Sequence, residues 1–589
     1  MLPRLILLVL PVAVCQAYDN FKAVIYCPVL DVEAMAEGDY LESSYALLEK
    51  YMDIDKVYLE THRRHHLIEA EQLEKVKRFF RDRGVTVSGG ITTTGEPAIT
   101  GRFGLFCYTS DSDRKWFEEV VRFTARHFDE LILDDFYFTD CRCENCIAAK
   151  GDRSWPEFRT ELMAEVSRNL VVKPAREENP DINLIIKYPN WYDFYQYTGY
   201  NLKDQPGIFD MVYTGTETRD PVFHQQHLQP YQGYLIMRYL ENVAPGRNGG
   251  GWVDPLDMGT LNRYGEQLLL TLIAGAEEMM LFRWGSLMEV VRDAAGNKQL
   301  IGMNAAVAGS VFDKADLFLG RLGNPVGLKT YKPVNSAGEP FLPAWLGMLG
   351  IPVELVPEFP EGEGTVLLTE ASAFDPDIVD RMKKHLSSGN DIVMTSGLLR
   401  ALRGKGIEEI TTISWTEGKV QAGAYTDLGF GQLYPAAEKA LFPLIAFPTN
   451  DAWMEITAIS GDNSFPLLTQ SEYAGGLLRV LSIPDDFADL YKIPEGALSL
   501  LRERILETHP VRLEAPAKVG LFTFDNHTCL VHSFLPHESR IRLRFAETSA
   551  NPVDMLSGRE LRLEQDAGGG YVELHLPPYS YRVVSWTVD

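Results

Sequence analysis

The chain is short of positive charge, short of cysteine and, past its first 17 residues, free of long hydrophobic runs. Each shortage excludes something. The 56 Lys and Arg against 82 Asp and Glu leave a formal charge of -26, which argues against nucleic acid and anionic membrane surfaces as partners. The acidity is spread along the chain with no acidic tail, so it speaks to solubility and names no substrate. No later stretch reaches the length of a transmembrane segment. No Gly-x-Gly-x-x-Gly follows any candidate strand, which leaves nucleotide binding with little support. Internal repeats and low-complexity segments are absent.

What is present is an ordinary globular composition, 45% hydrophobic and 23% charged over 589 residues, too long for one core. Aromatics at 11% suit both large cores and sugar-stacking platforms. Residues 1–17 read as a signal peptide: Arg4 gives a positive start, Leu5 to Val14 a short apolar core, and Ala17 a small residue before Tyr18. The mature protein is therefore expected to be secreted or periplasmic. Val14 fits poorly before a lipoprotein Cys15.

Eight apolar or β-branched runs recur at residues 23–27, 56–60, 85–88, 130–134, 183–187, 209–213, 234–238 and 278–282, with helical periodicity between several of them. Nearly continuous apolar strands suit a parallel sheet buried on both faces. Eight alternations predict an N-terminal (β/α)8 TIM barrel over residues 18–320. Residues 321–508 read as a flavodoxin-like α/β layer, with strands at 326–330, 353–356, 365–369 and 391–395. Residues 509–589 switch to period two with Gly, Pro, Asn and Asp punctuation, which predicts a small β-sandwich.

Catalytic groups in such barrels project from the carboxyl ends of the strands. Acids stand at four of these ends: Glu60 on strand two, Asp134 and Asp135 on strand four, Glu217 and Asp220 on strand six, and Glu241 on strand seven. Glycoside hydrolysis needs two carboxyl groups flanking the scissile bond. Asp135 with Glu241 is the expected catalytic pair if Leu131 and Leu133 face the barrel interior, since period two then turns Asp135 inward. Asp134 and Glu217 are the alternatives, in a strand four–six pairing. Glu60, Lys187 and Arg238 join Tyr137, Trp191, Trp252 and Trp284 as expected substrate-binding residues, with Tyr192 nearby. Asn248-Gly249-Gly250-Gly251-Trp252 reads as a loop over the site. His62, His65 and His66 form a cluster for which a solvated loop competes with metal or substrate binding.

Cys141-x-Cys143-x-x-Cys146 follows strand four, with Cys107 upstream. Disulfides compete in an exported protein, but the cluster is too tight for comfortable internal pairing. Four thiolates suit a structural Zn, which has no open catalytic position. No organic cofactor is indicated.

With this arrangement the chain resembles the glycoside hydrolase family 42 β-galactosidases. Cys107, Cys141, Cys143 and Cys146 match the family's zinc pattern, and the segment around Leu481 to Tyr491 is similar to the end of its second domain. The resemblance implies an amidotransferase-like second domain, a carbohydrate substrate and a homo-oligomer. It departs at strand four, where the family's Asn-Glu is replaced by Asp134-Asp135; Glu241 is the nearest match to its strand-seven nucleophile. The expected function is a secreted hydrolase of oligo- or polysaccharides. A non-catalytic glycan-binding barrel and a sugar lyase or isomerase are the rival classes.

Overall fold

The computed structural model describes residues 18–95, 104–292, 298–362, 364–427, 431–448, 450–546 and 550–588; the expected leader, residues 1–17, lies outside them. Eight parallel strands close into a barrel: β1 (Lys22–Cys27), β2 (Lys56–Arg63), β3 (Thr86–Ile91), β4 (Glu130–Leu133), β5 (Asn183–Tyr188), β6 (Met211–Gly215), β7 (Asn248–Val253) and β8 (Glu278–Phe282). Each lies beside the next, and β8 returns to β1. Side chains alternate between two layers. Ile25, Leu59, Leu131 and Leu133 join the core under the helices, whereas Val24, Tyr26, Tyr58, Ile132, Ile185, Tyr213, Trp252 and Met280 fill the barrel interior.

The seventh strand corrects the sequence expectation. Residues 234–238 lie in the helix Gln232–Val243, which is buried on nearly every side. It is wedged against the second domain: Arg238 pairs with Glu354 at 3.0 Å and the Tyr239 hydroxyl donates to the Lys332 carbonyl at 3.2 Å. A helix buried all round carries the same continuous apolar run as a buried strand. The glycine run expected to be a loop is the strand itself. Its glycines answer to crowding, since a Cβ on Gly250 would sit 2.3 Å from the Glu278 carbonyl oxygen and one on Gly251 2.1 Å from Thr271.

The second domain is one nine-stranded mixed sheet. Its parallel part comprises β9 (Leu328–Tyr331), β10 (Val353–Val356), β11 (Val366–Leu368), β12 (Ile392–Thr395) and, after an excursion, β17 (Gly476–Leu481), in the order β10-β9-β11-β12-β17. The excursion is β13 (Ser414–Asp427), β14 (Tyr434–Ala446), β15 (Ala452–Ser460) and β16 (Asn463–Tyr473), which extend the sheet antiparallel beyond β17. The C-terminal residues form the expected sandwich, two antiparallel sheets around a core that includes Leu513, Leu521, Val531, Leu543, Val572 and Trp586. No helix among the described residues is long and apolar enough to cross a membrane.

Candidate active site

Period two decides which acids look inward. Ile132 fills the barrel interior, so Asp134 continues that face, reversing the orientation expected from Leu131 and Leu133. Asp134 is buried beside Arg63, whose guanidinium lies 3.0 Å from Asp134 Oδ2 and 2.8 Å from Glu60 Oε1. Glu60 also accepts from the Tyr26 hydroxyl at 3.0 Å and from Val29 N at 2.7 Å. The Thr92 hydroxyl contacts both carboxyl groups, at 2.8 Å for Asp134. Burial and the adjacent Asp135 push Asp134 up to about 8 against the pull of Arg63 and Lys187.

Asp135 lies just past the strand, where the chain turns. It meets Lys187, which rises from β5: Nζ is 2.8 Å from Asp135 Oδ2 and 3.4 Å from Glu217 Oε1, and sits 3.9 Å from the centre of the Trp252 ring. The two carboxyl oxygens that share this ammonium thus lie within about 6 Å of each other. Their protonation preferences diverge. Burial opposes the charge on Asp135, but Lys187 and the Asp134 contact outweigh it and hold the carboxyl below its usual range. Burial dominates at Glu217 and, despite Lys187, pushes it up to about 7. Glu217 Oε2 is buried without a hydrogen-bond partner. Asn190 fixes the Glu217 backbone by donating to its carbonyl at 2.6 Å, and the Tyr200 hydroxyl does the same for Asp135 at 2.7 Å. Beyond them Arg219 pairs with Asp254 at 2.8 Å, at the end of β7. A cavity of about 400 Å³, lined by Val29, Arg63, Arg64, His66, Phe282 and Arg283, opens at the ends of β1, β2 and β8.

Asp134, Asp135, Glu217, Glu60, Lys187 and Trp252 thus converge at the barrel mouth. Glu241, Arg238, Tyr137 and Trp284 do not. Glu241 sits on the outer helix and accepts from Gly246 N at 2.8 Å; Arg238, on the same helix, is committed to Glu354. The Tyr137 hydroxyl meets Ser167 at 2.9 Å in the core, and buried Trp284 donates to Ser44 Oγ at 3.1 Å. Trp191 is half-buried against Phe138, and Tyr192 is buried against Phe341. Asp220 caps a turn, accepting from Val222 N and Phe223 N. His62 is buried, its Nε2 accepting from Trp116 Nε1 at 3.1 Å while Nδ1 faces the Thr92 carbonyl at 2.8 Å, so both nitrogens are taken. His66 instead meets Glu33. Arg63, Thr92, Arg219 and Asp254 were not singled out from the sequence. Asp254 stands just past the end of strand seven, a position that could have found it once that strand was placed.

Cys107, Cys141, Cys143 and Cys146, in the segments after β3 and β4, have all four sulfurs within 4.8 Å of one another. Cys107 Sγ is 3.6 Å from Cys143 Sγ and 3.7 Å from Cys146 Sγ, longer than a disulfide of about 2.05 Å. The spacing fits a tetrahedral ion with Zn–S bonds of about 2.3 Å. It is the one group of three or more His, Cys, Asp or Glu among the described residues arranged to hold a metal.

A family model described as the catalytic domain of a probable glycosyl hydrolase matches residues 12–306, half of the chain. The chain belongs to that probable glycosyl hydrolase family. Two further models cover residues 323–486 (second domain of the uncharacterized protein SSO3021) and 510–586 (probable glycosyl hydrolase, C-terminal domain). SSO3021 of Saccharolobus solfataricus is 24% identical over 507 residues, spanning 79% of this chain and 82% of that protein. Among solved structures, a catalytic mutant of the family 42 β-galactosidase Gan42B of G. stearothermophilus aligns with a TM-score of 0.64 at 13% identity, covering 97% of this chain and 100% of its own. The β-galactosidase of Bacillus circulans sp. alkalophilus aligns at 0.62 and 12% identity, covering 97% and 100%. The exo-β-1,4-mannosidase Op5Man5 of Opitutaceae bacterium strain TAV5 aligns at 0.51 and 11% identity, covering 84% and 97%. The chain therefore has the three-domain architecture of family 42, from which its sequence is divergent.

Proposed function

We propose that the chain hydrolyses glycosidic bonds in oligo- or polysaccharides, with Asp135 as the nucleophile and Glu217 as the proton donor. One observation carries this reading: a single buried ammonium, Lys187, joins two carboxyl groups whose environments drive their protonation apart. Asp135 is kept ionised, as a nucleophile must be. Glu217 retains a proton near neutrality, as a donor must. The two oxygens that share the ammonium lie no more than about 6 Å apart, short of the roughly 6.5–9.5 Å that leaves room for an attacking water. This is the strand four–six pairing; Glu241, the partner first expected for Asp135, lies on the outer helix. Arg63, which lines the cavity at the end of β2, offers hydrogen-bonding groups at the rim.

The test is release of reducing sugar from a glycan panel by the wild type, Asp135→Asn, Glu217→Gln and Glu241→Ala, with the product anomer followed by NMR. Retained configuration, loss in the first two variants and near wild-type turnover in the third are expected. An inverted product, or full activity in Asp135→Asn, would overturn the assignment.

The same reading takes the four cysteines as ligands of a structural zinc that pins the loop following Asp134 and Asp135, and residues 1–17 as an export signal. It takes the galactosidases as a guide to assembly and so includes a homo-oligomer, for which light scattering is the check.

A further inference from the structure

The parallel part of the second-domain sheet has strand order 2-1-3-4-5, so the winding reverses between β9 and β11. In open α/β sheets ligands settle beyond the carboxyl ends of the strands at such a reversal. A cavity of about 300 Å³ lies there, walled by the segments that leave β9, β11, β12 and β17 and by the start of β13. Its chemistry-bearing residues are Glu339, Glu370, Ser396, Arg400, Trp415 and Asp485. None belongs to the barrel site.

The lining selects a ligand class. An anion would seek the amides that open the helix after β12, but that place is filled from within. Glu339 lies so close to Gly397 that a Cβ there would come within 2.3 Å of Glu339 Oε1. The same carboxyl group accepts from Thr395 Oγ1 at 2.6 Å and from Glu370 N at 2.8 Å. Glu370 and Asp485 add two more carboxylates, which repel phosphates and acids. The cation in the cavity wall, Arg400, is spent on Glu370 at 3.1 Å and lies 5.8 Å from the Trp415 ring centre. What remains is the lone pairs that Glu370 and Asp485 keep beyond their ion pairs with Arg400 and Lys419, beside the indole of Trp415. Vicinal hydroxyls donate to carboxylates, and the C–H face of a sugar ring packs on an aromatic face. The volume is at the small end for ligand pockets.

We propose that this crevice is a second, non-catalytic binding site for a neutral saccharide of about one ring. The protein would hold a sugar at the edge of its second domain independently of the barrel chemistry.

The experiment is equilibrium binding by calorimetry and ligand-observed NMR on the full chain carrying Asp135→Asn, so that nothing is turned over. The probes are galactose, glucose, mannose, xylose and rhamnose, with inorganic phosphate as the anionic comparison. At least one sugar is expected to bind in a component that Trp415→Ala and Glu370→Gln each weaken tenfold or more and that Trp252→Ala leaves unchanged. Asp485 is 70% exposed, so Asp485→Asn leaves the fold intact and should weaken the same component about threefold. Sugar binding insensitive to all three second-domain changes, no sugar binding outside the barrel, or phosphate binding at this crevice would each overturn the proposal. Since binding is the readout, the result stands apart from whether the barrel hydrolyses anything.

Discussion

Asp135 and Glu217 share one lysine yet have opposite demands, and pH separates them. Glu217 carries its proton below about 7 and loses it as pH rises. Asp135 stays ionised until the pH falls below the usual carboxylate range. The profile of kcat/KM should therefore be flat through the weakly acidic range and fall about tenfold per unit above neutrality. Glu217→Gln should remove that alkaline limb. It should cost on the order of 10³-fold on a natural glycoside and less on an aryl glycoside whose leaving group needs no proton. Asp135→Asn should cost a similar factor on both substrates. A Glu217→Gln enzyme that keeps the wild-type alkaline limb would move the donor role elsewhere, with Asp134 the next group to test. Lys187→Met should act on the two acids in opposite ways: Asp135 loses the cation that keeps it ionised, whereas Glu217 holds its proton to higher pH, so activity falls while the alkaline limb moves upward.

At the scale of elements, seven of the eight barrel strands were legible because a strand buried on both faces writes a short apolar run. Their ends brought Glu60, Asp134, Asp135, Lys187 and Glu217 to notice. The eighth was lost to a substitution of roles: Asn248–Val253 is a strand of glycines, required by the neighbouring Glu278 and Thr271, while the apolar run at 234–238 is a helix sealed by the second domain. Glu241 fell with that assignment. Arg63 and Thr92 were invisible since nothing in spacing tells that a strand-two guanidinium and a strand-three hydroxyl meet a strand-four acid. The cysteine loop makes its own prediction. If the four sulfurs hold zinc, metal analysis should find about one ion per chain, and stripping it with a chelator should lower the thermal midpoint and slow catalysis together, since the loop continues directly from Asp135. Cys143→Ser should do the same. A chelated enzyme with unchanged stability would rule out the structural metal.

Across the whole molecule, the second domain reaches into the support of the catalytic loop. Lys332 follows β9 and is buried against Asp193 of the loop after β5 at 2.6 Å, with both side chains under 5% exposed. Phe341 N donates to the other Asp193 oxygen at 2.8 Å, and the Phe341 ring packs edge-on to Tyr192. The same β5 loop carries Asn190, which holds the Glu217 backbone. Removing one member of a buried ion pair strands the other charge, at a cost of about 3–5 kcal/mol, whereas replacing both by apolar groups is often close to neutral. Asp193→Ala should therefore lower the unfolding midpoint and reduce kcat, although Asp193 is kept from the barrel mouth by the loop it anchors. Lys332→Met combined with Asp193→Leu should recover most of the stability. Its kcat is the informative quantity. The Phe341 amide has lost its acceptor in that variant, so the β5 loop is less firmly held and kcat should stay below wild type. Full recovery of both would mean that the domain contact stabilises the fold without positioning Glu217, and a stable Asp193→Ala protein with unchanged kcat would remove the interdomain support altogether.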